Sequence, residues 1–231
     1  MTSSGRSRGW WIAAAAALVL YAVLAAVIRI APNNVADRAV LDWVSGWDLS
    51  LLDGTTKWIS WFTDLQPRLV VGVVGVVAIA LTGHHRLAAA TAVAAGITAI
   101  PIDSLDFLGG LVAGRIRPNG APFLAYPSGH TLGTVIQYGF GIYLALRLGL
   151  HRWLLLPLVA LLALPIVLVG PVRILREVHW TTDIAGAYLL GIASVIVLVV
   201  VLEIGERWFA ERGLLRNSLR PALAPSTTSS R

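Results

Sequence analysis

Two stretches decide how this chain reads: Tyr126-Pro127-Ser128-Gly129-His130, and the run from Arg173 through Arg176 and His179 to Asp183. In the second, His179 and Asp183 stand four residues apart. On a helix the two side chains share a face, so the carboxylate can hold one imidazole nitrogen and leave the other free. A nucleophile or general base with its orienting group has this arrangement. In the first, Pro-Ser-Gly ahead of a long apolar helix offers a hydroxyl and unpaired backbone N–H groups at a helix N-terminus, a natural seat for an anion. Upstream, Gly114-Arg115-Ile116-Arg117-Pro118 supplies two more cations. Arginines, a helix N-terminus and two histidines together point to phosphate chemistry.

The rest of the chain sets that chemistry in a bilayer. Of 231 residues, 57% are hydrophobic and 13% charged, the balance of a polytopic membrane protein. No cysteine is present, so no disulfide supports the fold. The net charge of +6 comes from arginines placed between apolar runs rather than in a patch; they read as topology signals, and nucleic acid is not an expected partner. The expected fold is an all-α bundle of six transmembrane helices, with short interfacial helices after the first.

The first span is Trp10 to Ile28, longer than a signal-peptide core and without a small-residue cleavage site. Residues 31–66 alternate aspartates (Asp37, Asp42, Asp48, Asp53, Asp64) with aromatic and aliphatic residues at helical spacing. They read as amphipathic helices in the membrane surface, broken at Gly54, that guide a lipid headgroup toward the site. The second span, near Leu69 to Leu81, is short. The third starts at Leu87, is kinked by Pro101, and carries Asp103 and Asp106 near its end. The fourth runs from Thr131 to Leu148, the fifth from Leu154 to Val169 and the sixth from Ile184 to Leu202. Residues 1–9 form a cytoplasmic N-terminus, 10–206 a single membrane domain and 207–231 a basic, disordered tail. His84-His85 has no third ligand nearby and reads as a solvated turn.

The motif stretches resemble the three signatures of the type 2 phosphatidic acid phosphatase superfamily, the membrane lipid phosphate phosphatases. Arg117-Pro118, Pro127-Ser128-Gly129-His130 and Arg173-x5-His179-x3-Asp183 match in order and internal spacing. The resemblance implies that His179 is the nucleophile and becomes a phosphohistidine. Asp183 would fix its tautomer, and His130 would protonate the leaving oxygen and then activate water. Arg117 and Arg173 would bind the non-bridging oxygens, with Ser128 and the Gly129 N–H completing the cradle. The pattern has lysine seven residues before Arg117, where this chain has Gly110, and serine where it has Val172. Arg115 and Arg176 are the candidates to replace the missing cation, Arg176 by sharing a helical face with His179. Asp106 is expected to orient an arginine such as Arg115.

With the N-terminus inside, ten arginines fall on the inner face (Arg6, Arg8, Arg86, Arg147, Arg152 and five in the tail) against four cations outside, leaving aside the four motif arginines. The expectation is an N-in, C-in protein of a bacterial inner membrane, with all three motifs on the extracytoplasmic side. It hydrolyses a lipid phosphate or diphosphate, polyprenyl diphosphate ahead of glycerophospholipid phosphates. Neither a cofactor nor a metal is expected, since arginines do the work of magnesium and no carboxylates have ligand spacing. The alternatives are a phosphotransferase using the same site, or a non-catalytic transporter or binder of lipid phosphates.

Overall fold

The structure, a computed structural model, describes residues 3–32, 34–48 and 50–214. Among these, regular structure is helical, with one isolated bridge between Ile116 and Leu124. In chain order the helices are α1 (Ser3–Ile30), α2 (Val35–Ser45), α3 (Asp53–Phe62, entered through a 3-10 turn at Ser50–Leu52), α4 (Leu65–Leu81), α5 (His85–Ala113), α6 (Gly129–Arg147), α7 (Arg152–Leu175) and α8 (Thr181–Glu211).

The long apolar runs form helices because a backbone in lipid must satisfy its own hydrogen bonds. Four helices are long and apolar enough to cross a membrane alone: Gly9–Ile30, His85–Ala113, Arg152–Leu175 and Thr181–Glu211. A fifth crossing requires Ser50–Phe62 to join Leu65–Leu81, and that pair is bent by 56°. Length and composition thus mark four or five of the six expected spans. α4 has 17 residues, about 26 Å at 1.5 Å per residue, short of a bilayer core. α6 carries His130, several glycines and Gln137, and packs against α7, α8 and α4.

α8 is the central post: 56% of its most apolar window is buried, against 11% for α7. One core cluster joins Leu87, Ala94, Phe140, Leu144, Leu198 and Leu202 at the end away from the motifs. The other lies under them and includes Tyr21, Ile28, Ala113, Tyr126, Leu132 and Leu190. Outward faces such as Val70, Val73, Val74 and Val77 of α4 and Leu154, Leu161 and Leu164 of α7 stay exposed, as lipid-facing residues do.

The segment after α1 forms short helices, and Trp43, Trp47, Trp58 and Trp61 are exposed along it. Gly54 does not break them; it sits in the first turn of α3, and the interruptions fall after Ser45 and at Thr63-Asp64. Pro101 lies inside an unbroken α5. α8 continues through Arg207 to Glu211, past the expected boundary at 206, while the remainder of the predicted tail from residue 215 lies outside the described residues.

Candidate active site

α5 ends at Gly114, which takes φ +60°, a left-handed cap that glycine adopts without steric cost. The chain then doubles back. Ala125 N donates to Arg115 O at 2.8 Å and Gly120 N to Arg117 O at 3.0 Å, around the turn Pro118-Asn119. This loop delivers Tyr126, whose ring occupies the space a side chain at Gly186 of α8 would need and stacks on Tyr21 of α1 at 5.3 Å. Tyr126 Oη donates to Tyr21 O at 2.8 Å. The loop is thus pinned to α1 and α8, and Ser128 becomes the N-cap of α6. Its buried hydroxyl accepts from Thr131 Oγ1 at 3.1 Å rather than capping the backbone.

On the other side, α7 stops at Leu175 and the chain turns through Glu177 at φ +52°, a conformation costly for a residue with a Cβ. His179 is therefore not helical. The expectation that it shares a helix face with Asp183 fails, because α8 begins only at Thr181 and Asp183 lies in its first turn. His179 Nδ1 instead donates to Ala125 O at 2.9 Å, while Asp183 Oδ2 stands 3.6 Å away, beyond a hydrogen bond. A backbone carbonyl sets the tautomer, and Nε2 is left as a buried atom without a partner. Burial holds the imidazole below the usual histidine range, outweighing the pull of Asp183, so the ring is neutral at pH 7.

Arg173, in the last turn of α7, is 6% exposed, and its Nε is buried and unpaired; so is Nε of Arg117, whose guanidinium lies over the Phe123 ring at 5.3 Å. Both charges reach His179, and Arg173 also reaches His130. His130, the second residue of α6, sets Nε2 2.5 Å from Oδ1 of Asp64. Two guanidiniums, one free imidazole nitrogen and a second imidazole thus meet at one end of the bundle, an arrangement that can bind and attack a phosphorus centre.

No curated protein sequence matches this chain. Residues 101–204 match the model of the PAP2 superfamily. This part of the chain is similar to the PAP2 superfamily. A solved structure with a similar fold is that of a transmembrane PAP2-type phosphatidylglycerolphosphate phosphatase from Bacillus subtilis. It has a TM-score of 0.66 and 20% identity, over 86% of this chain and 96% of that one. The PAP2 segment opens inside α5 and closes inside α8, so it encloses all three motif loops and leaves out α1 to α4.

The other residues expected to serve the site are placed differently from the expectation. Arg115 is buried, and its two terminal nitrogens donate to Pro32 O (3.0 Å), Asp37 Oδ2 (2.6 Å), Thr182 Oγ1 (2.6 Å) and Asp183 Oδ1 (2.5 Å), while its Nε has no partner. Its charge is neutralised by two carboxylates, so it does not replace the missing lysine. Arg176 is exposed at the end of α7 and lines a cavity of about 360 Å³ with Ser50, Asp53, Thr56 and Leu175; it shares no helical face with His179. Asp106 does not orient Arg115. It lies on α5, and its Oδ1 is buried without a partner. Among the described residues no three His, Cys, Asp or Glu side chains cluster so as to hold a metal ion.

Two residues that the motifs do not mark belong to the site. One is Asp64. The other is Asp37 of α2, which is buried and accepts from Thr182 N (2.9 Å), Thr182 Oγ1 (2.6 Å), Asn34 Nδ2 (2.7 Å) and Arg115. Burial raises the proton affinity of its carboxyl, but the donors from Thr182 and Arg115 prevail and hold it below the usual carboxylate range. The only sequence hint was an aspartate three residues after Asn34 in an otherwise amphipathic helix.

The departure at Gly110 has a steric cause. A Cβ there would meet Tyr126 O at 3.0 Å and Leu124 Cδ1 at 3.1 Å, because α5 lies directly against the motif loop. Restoring the family residue with Gly110→Lys is therefore expected to lower stability by about 1–3 kcal/mol without raising the rate of phosphate release. Thermal unfolding and kcat of the purified variant check this; a faster enzyme of unchanged stability would refute it.

Proposed function

We propose that this membrane phosphatase hydrolyses a lipid monophosphate or diphosphate through a phosphohistidine on His179. The observation that carries the reading is the unpartnered Nε2 of His179, buried beside the unpartnered Nε atoms of Arg117 and Arg173. A buried polar atom without a partner is costly, and here the three share one potential guest, an anionic phosphoryl group. Arg117 and Arg173 bind its non-bridging oxygens and stabilise the charge of the transition state; the Gly129 N–H at the start of α6 adds its dipole. Nε2 attacks phosphorus in line. Asp183, 3.6 Å from Nδ1, stabilises the positive charge that develops on the ring. His130 protonates the leaving oxygen, then takes a proton from the water that releases phosphate.

A polyprenyl diphosphate ranks ahead of a glycerophospholipid phosphate because a phosphate leaving group demands less of the acid, and Gly110 supplies no cation. The substrate of the Bacillus subtilis protein, phosphatidylglycerolphosphate, is the natural second candidate. The alternation of α1, α4, α5, α6, α7 and α8, with α4 crossing together with the bent α3 and α6 crossing as a helix enclosed by its neighbours, suits six spans, both termini in the cytoplasm and the site outside the inner membrane.

Phosphate release from a panel of lipid phosphates and diphosphates, by purified protein in detergent, tests the reading. Release should persist in excess EDTA because the guanidiniums supply the charge stabilisation, and His179→Ala should abolish it. Loss of activity on chelation would overturn the metal-independent mechanism. Loss of lipid phosphate without free phosphate would make the enzyme a transferase.

A further inference from the structure

Asp64 stands at the corner between α3 and α4, the 56° bend next to the membrane-surface helices, outside all three motifs and outside the PAP2 segment. Its carboxylate approaches His130 Nε2 at 2.5 Å. The approach is built into the packing of α4 on α6. Arg68 Nε donates to the Asp64 carbonyl at 3.3 Å, and its guanidinium fills the space beside Gly133, one turn along α6 from His130. Gln137, a turn further, donates its amide to the Arg68 carbonyl in a short bond. The Asp64 carboxylate also lies within electrostatic reach of Arg173.

The two histidines are wired oppositely. His179 has Nδ1 committed to Ala125 O and Nε2 free; His130 has Nε2 committed to Asp64. We infer that Asp64 is the positioning residue of the general acid, holding Nε2–H of His130 so that Nδ1 faces the leaving oxygen. This rests on the proposed phosphatase reaction. The reacting form of His130 has both nitrogens protonated, and Asp64 stabilises it. As the bond from phosphorus to the leaving oxygen breaks and His179 Nε2 bonds to phosphorus, the Nδ1 proton passes to that oxygen. The neutral Nε2–H ring remains on Asp64, and Nδ1 then takes a proton from the water that displaces His179. Burial, then Arg173 of α7 and His179 of the α7–α8 turn, oppose a charge on His130, and Asp64 is the group that favours it.

The test compares full-length wild type, Asp64→Asn and Asp64→Glu in detergent on two substrates. Dioctanoyl phosphatidic acid has a poor alkoxide leaving group that needs the acid; p-nitrophenyl phosphate has a good one that does not. Asp64→Asn should lower kcat on the first by about 10- to 100-fold, and on the second by less than about threefold, with KM within about twofold. Asp64→Glu should recover part of the loss. Independently of turnover, the pH midpoint for carbethoxylation of His130 by diethyl pyrocarbonate, read on its peptide by mass spectrometry, should fall by about one pH unit or more in Asp64→Asn. Equal losses on the two substrates, or an unmoved midpoint, would overturn the inference. If wild type hydrolyses neither substrate, the phosphatase reading fails, and the midpoint still decides whether Asp64 holds His130.

Discussion

The His179→Ala protein is expected to release lipid phosphate at least about 10³ times more slowly than wild type, with KM little changed. The ring has one nitrogen committed to Ala125 O at 2.9 Å and one buried without a partner. A nucleophile needs a lone pair that is unprotonated, unshared and aimed. Burial keeps the ring neutral at pH 7, the carbonyl takes the Nδ1 hydrogen, and the pinned loop at Tyr126 fixes the direction. Alanine removes all three properties while leaving Arg117 and Arg173 to bind the anion, so the loss falls on kcat. The structural cost is one hydrogen bond and the cavity left by a buried ring, about 2–4 kcal/mol together, which the unfolding midpoint reads separately. Phosphate release under saturating substrate, together with the unfolding midpoint, is the measurement. A variant that keeps a tenth of the wild-type rate would place the nucleophile elsewhere.

What could be read from the residue order was what depends on near neighbours. Apolar runs became helices, Pro118-Asn119-Gly120 became a turn, and the Pro-Ser-Gly run became a helix start, because each is decided within a few residues. Long-range partnerships were not legible. Asp37 and Asp64 look like any aspartate of an amphipathic surface segment; their partners Thr182 and His130 lie 145 and 66 residues away. The four-residue spacing of His179 and Asp183 suggested a shared helix face, but the helix starts between them and the orienting group is a carbonyl 54 residues upstream. Arg115 misled for a related reason. Beside Arg117 in a phosphate motif it reads as a second ligand, and only the return of α2 over the loop shows its charge already taken. The six-span expectation counted apolar runs, and α6 is the run that composition marks least: a helix enclosed by others carries polar residues that a lipid-facing one does not.

Replacing Arg115 by alanine should therefore cost about 3–5 kcal/mol of stability, the penalty for stripping the counter-charge from a buried pair. The side chains of Asp37 and Asp183 are both 0% exposed, and the guanidinium is what separates and neutralises them. Without it, two carboxylates face each other across Thr182 away from water. The exposed pair of Arg147 with Glu206 offers a control: Arg147→Ala should change stability by no more than about 1 kcal/mol. For a protein of this size the Arg115 loss corresponds to roughly a 10 °C fall in the unfolding midpoint. Arg115→Lys should recover little of it, since one ammonium cannot present the four donors that the guanidinium directs at Pro32, Asp37, Thr182 and Asp183. Asp37→Asn combined with Arg115→Gln should be less destabilised than the sum of the two single changes, because each single variant leaves a buried charge the other would have balanced. The alternative role predicts the reverse pattern. If Arg115 bound the substrate phosphate, alanine would raise KM and leave the midpoint where it was, and the network from α2 to α8 would be incidental. A fall in the midpoint with KM held makes Arg115 the clamp that fastens the membrane-surface helix to the catalytic end of α8.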